Sequence, residues 1–235
     1  MGLTLGVLLA TVLSYPLGLL LGGGVLLPVL NTAAAYAAMV VLLRRGERRK
    51  AVGLMLVWAA TLAVSATVTF AVWPAAPDPL VLNGPQYRDE MTHWIRTGEG
   101  SEGRPAQFIP QHAVHLAAFV ASSLATASAA SMVLGAALMN YMGFYVASLH
   151  RAGAPAGAVL LLGWQPWAIS RVAAFVVLGV VLAEPLLSRV RPYPYQGLRS
   201  VRPYLIAAAA GIVADWLLKA LLAPQWREWL AAVLR

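Results

Sequence analysis

The chain has 235 residues, of which 60% are hydrophobic and only 11% are charged, whereas soluble domains carry about 25% charged residues. This composition excludes an ordinary soluble domain and indicates an integral membrane protein. The sequence contains no cysteine, which excludes disulfides, thiolate metal sites and Cys-ligated iron–sulfur clusters. Its net charge of +8 is concentrated in two basic loops between apolar runs, so we expect lipid headgroups rather than nucleic acid as the counter-charge.

Two charge-free stretches indicate how many times the chain crosses a membrane. Leu3 to Leu43 and Gln111 to Leu149 contain no Asp, Glu, Lys or Arg. Each would be roughly 60 Å long as a helix, against about 30 Å of bilayer hydrocarbon, so each is predicted to fold back as a pair of helices. The predicted fold class is therefore all-α, a polytopic transmembrane helical bundle of about seven helices, or six if the second stretch crosses once. The predicted spans cover residues 3–21, 24–43, 51–73, 111–129, 131–149, 166–187 and 204–222.

The first two helices are separated by a clear turn signal. Gly22, Gly23 and Gly24 give the backbone the conformational freedom that a tight reversal needs. The corresponding reversal in the second charge-free stretch, near Thr126 to Ser131, contains no glycine. Its position is predicted from length alone.

Two clusters of arginine and lysine set the predicted orientation. Residues 44–50 and 188–203 form basic loops, and the positive-inside rule places both in the cytoplasm. Seven crossings bring both loops to the same side, with the N-terminus inside. Residues 74–110 are then an outer loop, which contains a short amphipathic helix at Gln86 to Thr97. This topology predicts a single integral membrane domain, residues 1–235, in the inner (cytoplasmic) membrane.

Ionisable residues inside apolar helices are candidates for function, because each costs about 2.5 to 3.5 kcal/mol at the centre of a bilayer. Asp215 and Lys219 lie four residues apart on the last predicted helix, so they share a face and are expected to pair. Arg171 lies at a similar depth on the preceding helix and can approach either of them. The pattern predicts a proton-carrying or cation-binding Asp215 coupled to Lys219 or Arg171, or else a fixed ion pair that locks the last two helices together.

Three further polar residues lie within predicted spans. Asn31 and Asn140 are expected to line the same interior or to hydrogen-bond across helices. Glu184 lies near the cytoplasmic end of its helix, where Arg189 and Arg191 are its expected partners.

All four histidines fall at or beyond the outer boundary in the predicted topology. His112 and His115 lie three residues apart at the start of a helix and share a face. The predicted amphipathic helix places Glu90 three residues before His93, and His150 lies at the end of another helix. Together these side chains supply imidazole and carboxylate ligands of the kind that bind a divalent transition metal such as zinc, copper or iron. The alternative is that they are solvated interfacial histidines without a metal.

Several catalytic motifs are absent from the sequence. It contains no HExxH, no GxSxG and no Walker A loop. No histidine follows His150, so the last two helices do not provide the base of a rhomboid-like serine protease. Asp215 has no second carboxylate at its depth, as aspartyl cleavage would require. Whether the chain is an enzyme therefore stays open.

The sequence leaves three functions in view. The first is a small transporter or channel, or a subunit of a membrane complex, that handles a cation or small solute and has a metal site at its outer face. The second is a metal-dependent membrane enzyme acting on a lipid or lipid-linked substrate, with Glu90 or Asp89 as general base. The third is a structural subunit without chemistry of its own. The expected partners are the lipid bilayer, other membrane proteins or a second copy of the chain.

Overall fold

The computed structural model describes residues 2–22, 24–73, 81–190 and 197–234, and these residues form helices and turns without strands. The all-α prediction is therefore confirmed. A short 3-10 turn, Ser101–Gly103, lies between the fourth and fifth helices. The helices are α1 (Gly2–Leu21), α2 (Leu26–Arg44), α3 (Arg48–Val72), α4 (Gly84–Thr97), α5 (Pro105–Thr126), α6 (Ala129–Arg151), α7 (Ala156–Leu162), α8 (Pro166–Val190) and α9 (Leu198–Val233).

Seven of the described helices are long and apolar enough to cross a membrane: α1, α2, α3, α5, α6, α8 and α9. The protein is thus a multi-pass membrane bundle. The second charge-free stretch folds as two helices, α5 and α6, so the seven-helix prediction holds over the six-helix alternative. The last helix is longer than predicted and continues through Pro224 to Val233. Tertiary packing supports this extension, because Trp226 Nε1 donates a hydrogen bond to the Leu162 carbonyl oxygen at 2.9 Å and Leu230 is buried.

The two tight reversals are built differently. Gly22 has a left-handed backbone with a φ of 62°, as the glycine signal predicts, while Gly23 lies outside the described residues. Between α5 and α6, Ala127 and Ser128 are both left-handed, with φ values of 49° and 69°. Neither is glycine, so the sequence carries no signal for this turn. Its strain is offset by hydrogen bonds such as the one from Ser128 Oγ to the Gly179 carbonyl oxygen at 2.6 Å.

At the end of the bundle that carries both basic loops, a buried ion pair joins α3 to α8. Arg48 at the start of α3 donates from Nη2 to Oε2 of Glu184 on α8 at 2.7 Å, and its Nη1 donates to the Ser200 carbonyl oxygen at 3.0 Å. Glu184 is fully buried. The predicted pairing of Glu184 with Arg189 is therefore wrong, because the bundle brings Arg48, from the other basic loop, into contact with Glu184. The other predicted partner, Arg191, lies outside the described residues. We call this end of the bundle the basic end, and the other end the outer end.

The outer end is covered by the predicted amphipathic helix, which forms α4. Its apolar side chains Met91, Trp94 and Ile95 are buried in one cluster with residues from α6, α8 and α9, including Trp167. The chain then reverses at Gly98, whose φ is 77°, and returns through the 3-10 turn to α5. The segment from α4 to this turn, residues 84–103, is called the outer segment below.

Candidate binding cavity and its charged end

A cavity of about 130 Å³ lies among α2, α3, α5, α6 and α8, and the outer segment contributes to its outer end. Its polar lining is concentrated at that end. Tyr87 and Glu102 come from the outer segment, His112 comes from the second turn of α5, and Arg171 comes from the second turn of α8. The cavity therefore begins in polar surroundings near the outer surface of the bundle.

The lining becomes apolar toward the basic end. Phe119 and Phe175 pack with ring centroids 4.7 Å apart along the wall formed by α5 and α8, and Trp58 of α3 also lines the space. Methionine side chains are flexible and polarisable, which lets them adapt to a bound apolar group. Five of the protein's seven methionines line the cavity: Met39, Met55, Met132, Met139 and Met142.

At the polar end, His112 lies between Asp215 and Arg171. Its Nδ1 is 3.0 Å from Asp215 Oδ2, and Arg171 Nη1 lies against the ring, 3.1 Å from Nδ1 and within hydrogen-bond distance of Nε2. Since a guanidinium always donates, this geometry fits a neutral imidazole in which Nδ1–H donates to Asp215 and Nε2 accepts from Arg171. Arg171 Nη1 is also 3.7 Å from Asp215 Oδ1, so one carboxylate holds both groups.

Lys219 has a different partner. Its ammonium is 3.0 Å from Glu102 Oε2 in the outer segment and 4.6 Å from the ring centroid of Phe108. Lys219 is only 1% exposed, and the Glu102 side chain is 17% exposed. The expected pairing of Asp215 with Lys219 is thus replaced by two separate pairs, because each residue meets a closer counter-charge from another part of the fold. We call His112, Asp215, Arg171, Lys219 and Glu102 the charged cluster.

The pKa of Tyr87 is affected by both charges at the outer end of the cavity, Glu102 and Arg171. Burial raises the pKa of its hydroxyl well above the ordinary value, with Glu102 raising it further and Arg171 lowering it. The hydroxyl is therefore protonated at neutral pH and remains a neutral group between two opposite charges. Glu102 and Arg171 are both close enough to act on this one side chain.

A second polar group, which we call the amide network, consists of Ser14, Tyr15, Asn31 and Asn140. Asn140 Nδ2 donates to Asn31 Oδ1 at 2.7 Å, and Asn31 Nδ2 donates to Ser14 Oγ at 2.6 Å. The Tyr15 hydroxyl donates to Asn140 Oδ1 at 2.7 Å. These four side chains are buried and absent from the lining of the cavity. Of the two roles predicted for Asn31 and Asn140, the geometry supports hydrogen bonding across helices.

The predicted metal ligands are dispersed. His115 lines the cavity with His112, whereas Glu90 and His93 are exposed on α4 and His150 is exposed at the end of α6. Over residues 2–22, 24–73, 81–190 and 197–234, no three His, Cys, Asp or Glu side chains come together in a group that could hold a metal ion. The structure therefore gives no support to the metal site, and it places His112 in hydrogen-bond contact with Asp215 and Arg171 instead.

Sequence reasoning did not identify Glu102 or the methionine lining. Glu102 lies in a glycine-rich loop that carries no periodic pattern, and its role depends on the fold of the outer segment over α9. Met132, Met139 and Met142 are spaced so that they share one face of α6, whereas Met39 and Met55 lie on two other helices. A methionine face on one helix is also typical of a packed core, so this spacing alone does not indicate a cavity.

The fold and the cavity define a class: a multi-pass helical membrane protein with a cavity that is polar at one end. In comparisons with known proteins, no family model, no curated protein and no solved structure matched the chain. The cavity and its surroundings therefore carry the functional argument.

Proposed function

We propose that this protein is a membrane transporter or carrier that binds an amphipathic small molecule in its cavity. One observation carries the proposal: a charged end and a methionine-rich, aromatic interior belong to the same cavity. Binding sites for organic molecules are typically apolar spaces with a few placed polar groups that orient the ligand. The molecule's polar group would lie near Arg171 and His112, and its apolar part would extend toward the methionines.

Transport of a small solute was one of the functions predicted from sequence, and it remains a proposal. An organic solute is favoured over a metal cation, because the described residues offer no group of three metal ligands. The cavity lies within helices that could cross a membrane, so a bound molecule would be held inside the bilayer region. Location in the cytoplasmic membrane, with the basic end inside, is part of the same proposal and is supported by the positive-inside rule.

The proposal is tested with two matched glycine substitutions. Gly135 lines the cavity, where an added Cβ would come no closer than 4.0 Å to Phe119, so Gly135→Leu fills the space with little strain. Gly53→Leu on α3 is the control, because Gly53 is exposed and nothing lies within 4 Å of its added Cβ. Small molecules that copurify with each variant in lipid nanodiscs are identified by mass spectrometry, and their uptake is measured in reconstituted vesicles.

We expect a copurifying amphiphile and its uptake in the wild type and in Gly53→Leu, with both lost in Gly135→Leu. Loss in both variants, or retention in both, would remove the cavity from the mechanism. A wild-type protein that carries no such molecule and transports none would leave the structural-subunit function as the better description.

A further inference from the structure

We propose that the ligand is an amphiphilic anion whose phosphate or carboxylate group binds Arg171 and whose chain lies along the methionine lining. This inference rests on the proposed function, because it names the class of molecule that the cavity accepts. Three features favour this class of ligand: the free N–H donors of Arg171, the surroundings of the nearby carboxylates, and the direction of the apolar lining.

Arg171 has unoccupied hydrogen-bond donors. Among the described residues only its Nη1 has a hydrogen-bond partner, Nε2 of His112, while Nη2 and Nε have none. Its side chain is 27% exposed and lines the cavity, so these donors can be reached from inside the cavity. A planar guanidinium with adjacent free N–H groups is the preferred partner of a phosphate or carboxylate, which it binds with two parallel hydrogen bonds.

Neither carboxylate near the polar end is an open site for a cation. Asp215 is 1% exposed and does not line the cavity, and its Oδ2 accepts from His112. Glu102 lines the cavity but is paired with the buried ammonium of Lys219. A cationic ligand would have to compete with Lys219 for Glu102. An anionic ligand would find Arg171 with two unoccupied nitrogen donors and the half-buried His115 beside it.

Asp215 lowers the net positive charge at the polar end of the cavity without occupying the free donors of Arg171. Its Oδ1 lies 3.7 Å from Arg171 Nη1 and has no hydrogen-bond partner in the part of the chain that the structure describes. The contact is therefore electrostatic and leaves Nη2 and Nε unoccupied. Asp215 thus partly neutralises the guanidinium.

The apolar lining continues from Arg171 along one helix. Val172, Phe175, Val176 and Gly179 follow Arg171 on α8 and line the cavity as far as Val180. At 1.5 Å per residue this face extends about 14 Å from the guanidinium toward the basic end. Such a distance suits an alkyl or aryl chain attached to the anionic group. A membrane-derived lipid acid or phosphate and a water-soluble amphiphilic acid both have this chemistry.

The test compares ligands that share a chain and differ only in charge. The wild type in lipid nanodiscs is titrated with octyl phosphate, octyltrimethylammonium and octanol, with empty nanodiscs as the blank, and binding is followed by tryptophan fluorescence. We expect octyl phosphate to bind roughly tenfold to a hundredfold more tightly than the other two, as charge-assisted hydrogen bonds imply. Inorganic phosphate alone tests the head group, and hexanoate against hexadecanoate distinguishes a water-soluble source from a lipid source.

Four variants assign the preference to its residue. Arg171→Gln is expected to bind the three octyl compounds about equally, and Arg171→Lys is expected to keep part of the preference. Asp215→Asn removes the competing carboxylate and is expected to tighten octyl phosphate binding severalfold. The double variant Arg171→Gln/Asp215→Asn keeps the local charge balanced, so it tests the loss of preference even if the single Arg171→Gln protein fails to fold.

The outcomes separate the two proposals. If the three octyl compounds bind the wild type with similar affinity, the cavity accepts amphiphiles but the anionic preference is overturned. If none of them binds, the proposed function fails as well. If the preference for octyl phosphate persists in the double variant, an anion site exists elsewhere and Arg171 does not form it.

Discussion

The amide network and the charged cluster both lie within the bundle, yet they differ in charge and in how many of their polar atoms have hydrogen-bond partners. In the amide network, the three hydrogen bonds between its side chains each join a donor on one helix to an acceptor on another, and all the side chains are neutral. In the charged cluster, Asp215 Oδ1 and two nitrogens of Arg171 have no hydrogen-bond partner among the described residues. No side chain of the amide network lines the cavity described above, whereas His112, Arg171 and Glu102 of the charged cluster line its polar end.

The difference shows how a membrane bundle separates stability from binding. A neutral network with satisfied donors and acceptors costs little to bury and fixes helices in one register. Charges are expensive in the same surroundings, so they are kept only where each has a counter-charge, and their remaining capacity is available to a ligand. Breaking each group should therefore have a different consequence.

The largest expected effect on stability comes from Glu102→Ala. This change leaves the Lys219 ammonium, which is 1% exposed, without its carboxylate. Removing one partner of a buried pair typically costs about 3 to 5 kcal/mol, and we expect the free energy of unfolding in mixed micelles to fall by about that amount. The double variant Glu102→Gln/Lys219→Met removes both charges and should recover most of the loss. A loss below about 1 kcal/mol in Glu102→Ala would mean that the pair is effectively solvated.

The next largest effect is expected from Asn140→Ala in the amide network. It leaves Asn31 Oδ1 without its donor and Tyr15 without its side-chain acceptor, although Tyr15 retains the Leu62 carbonyl oxygen at 3.2 Å. We expect a loss of about 2 kcal/mol in the free energy of unfolding, with ligand binding unchanged. Thr61→Ala is the control, since that hydroxyl bonds only to Val57 within its own helix. Equal losses in the two variants would show that the network adds nothing beyond local bonding.

The double variant Arg171→Gln/Asp215→Asn should affect stability less and binding more. It leaves no buried carboxylate unpaired, and the Arg171 side chain is 27% exposed, so the expected change in unfolding free energy is about 1 kcal/mol or less. The same variant should lose the preference for octyl phosphate. Measuring both quantities on one preparation tests whether the charged cluster serves binding. A large loss of stability with unchanged binding would assign Arg171 to the structural group instead.

The smallest effect is expected from the double variant His93→Ala/His150→Ala. Both side chains are exposed, and His150 contacts only the Ala154 carbonyl oxygen of its own turn, at 3.2 Å. We expect a change of less than about 0.5 kcal/mol and no change in bound metal, measured by mass spectrometry of the purified protein without a histidine tag. Stoichiometric metal in the wild type that disappears in this variant would restore the metal site that the sequence suggested.

Much of the fold could be predicted from the sequence because it depends on length and charge. The seven spans, the Gly22 reversal and the amphipathic helix α4 all follow from local patterns. The reversal at Ala127 and Ser128 could not be located, because its left-handed residues are held by contacts to α8 rather than by glycine.

The candidate site could be predicted only in part. Asp215, Lys219 and Arg171 were identifiable because charge is rare in apolar helices. Their partners were not, since the i to i+4 spacing suggests that Asp215 and Lys219 pair, whereas His112 and Glu102 reach them from distant parts of the chain. Helical periodicity shows which residues share a face, and it gives no information on which other helix lies against that face.

The ion pair at the basic end also bears on how the bundle assembles. Arg48 and Glu184 are separated by 136 residues, so α3 is made long before α8. When α8 enters the membrane, its buried carboxylate meets a guanidinium that is already in place, and we expect this contact to select α3 as the docking partner of α8. The same arginine then receives Ser200 at the start of α9. Arg48 would in this way act as a registration point during synthesis, against which the last two spans are aligned in turn.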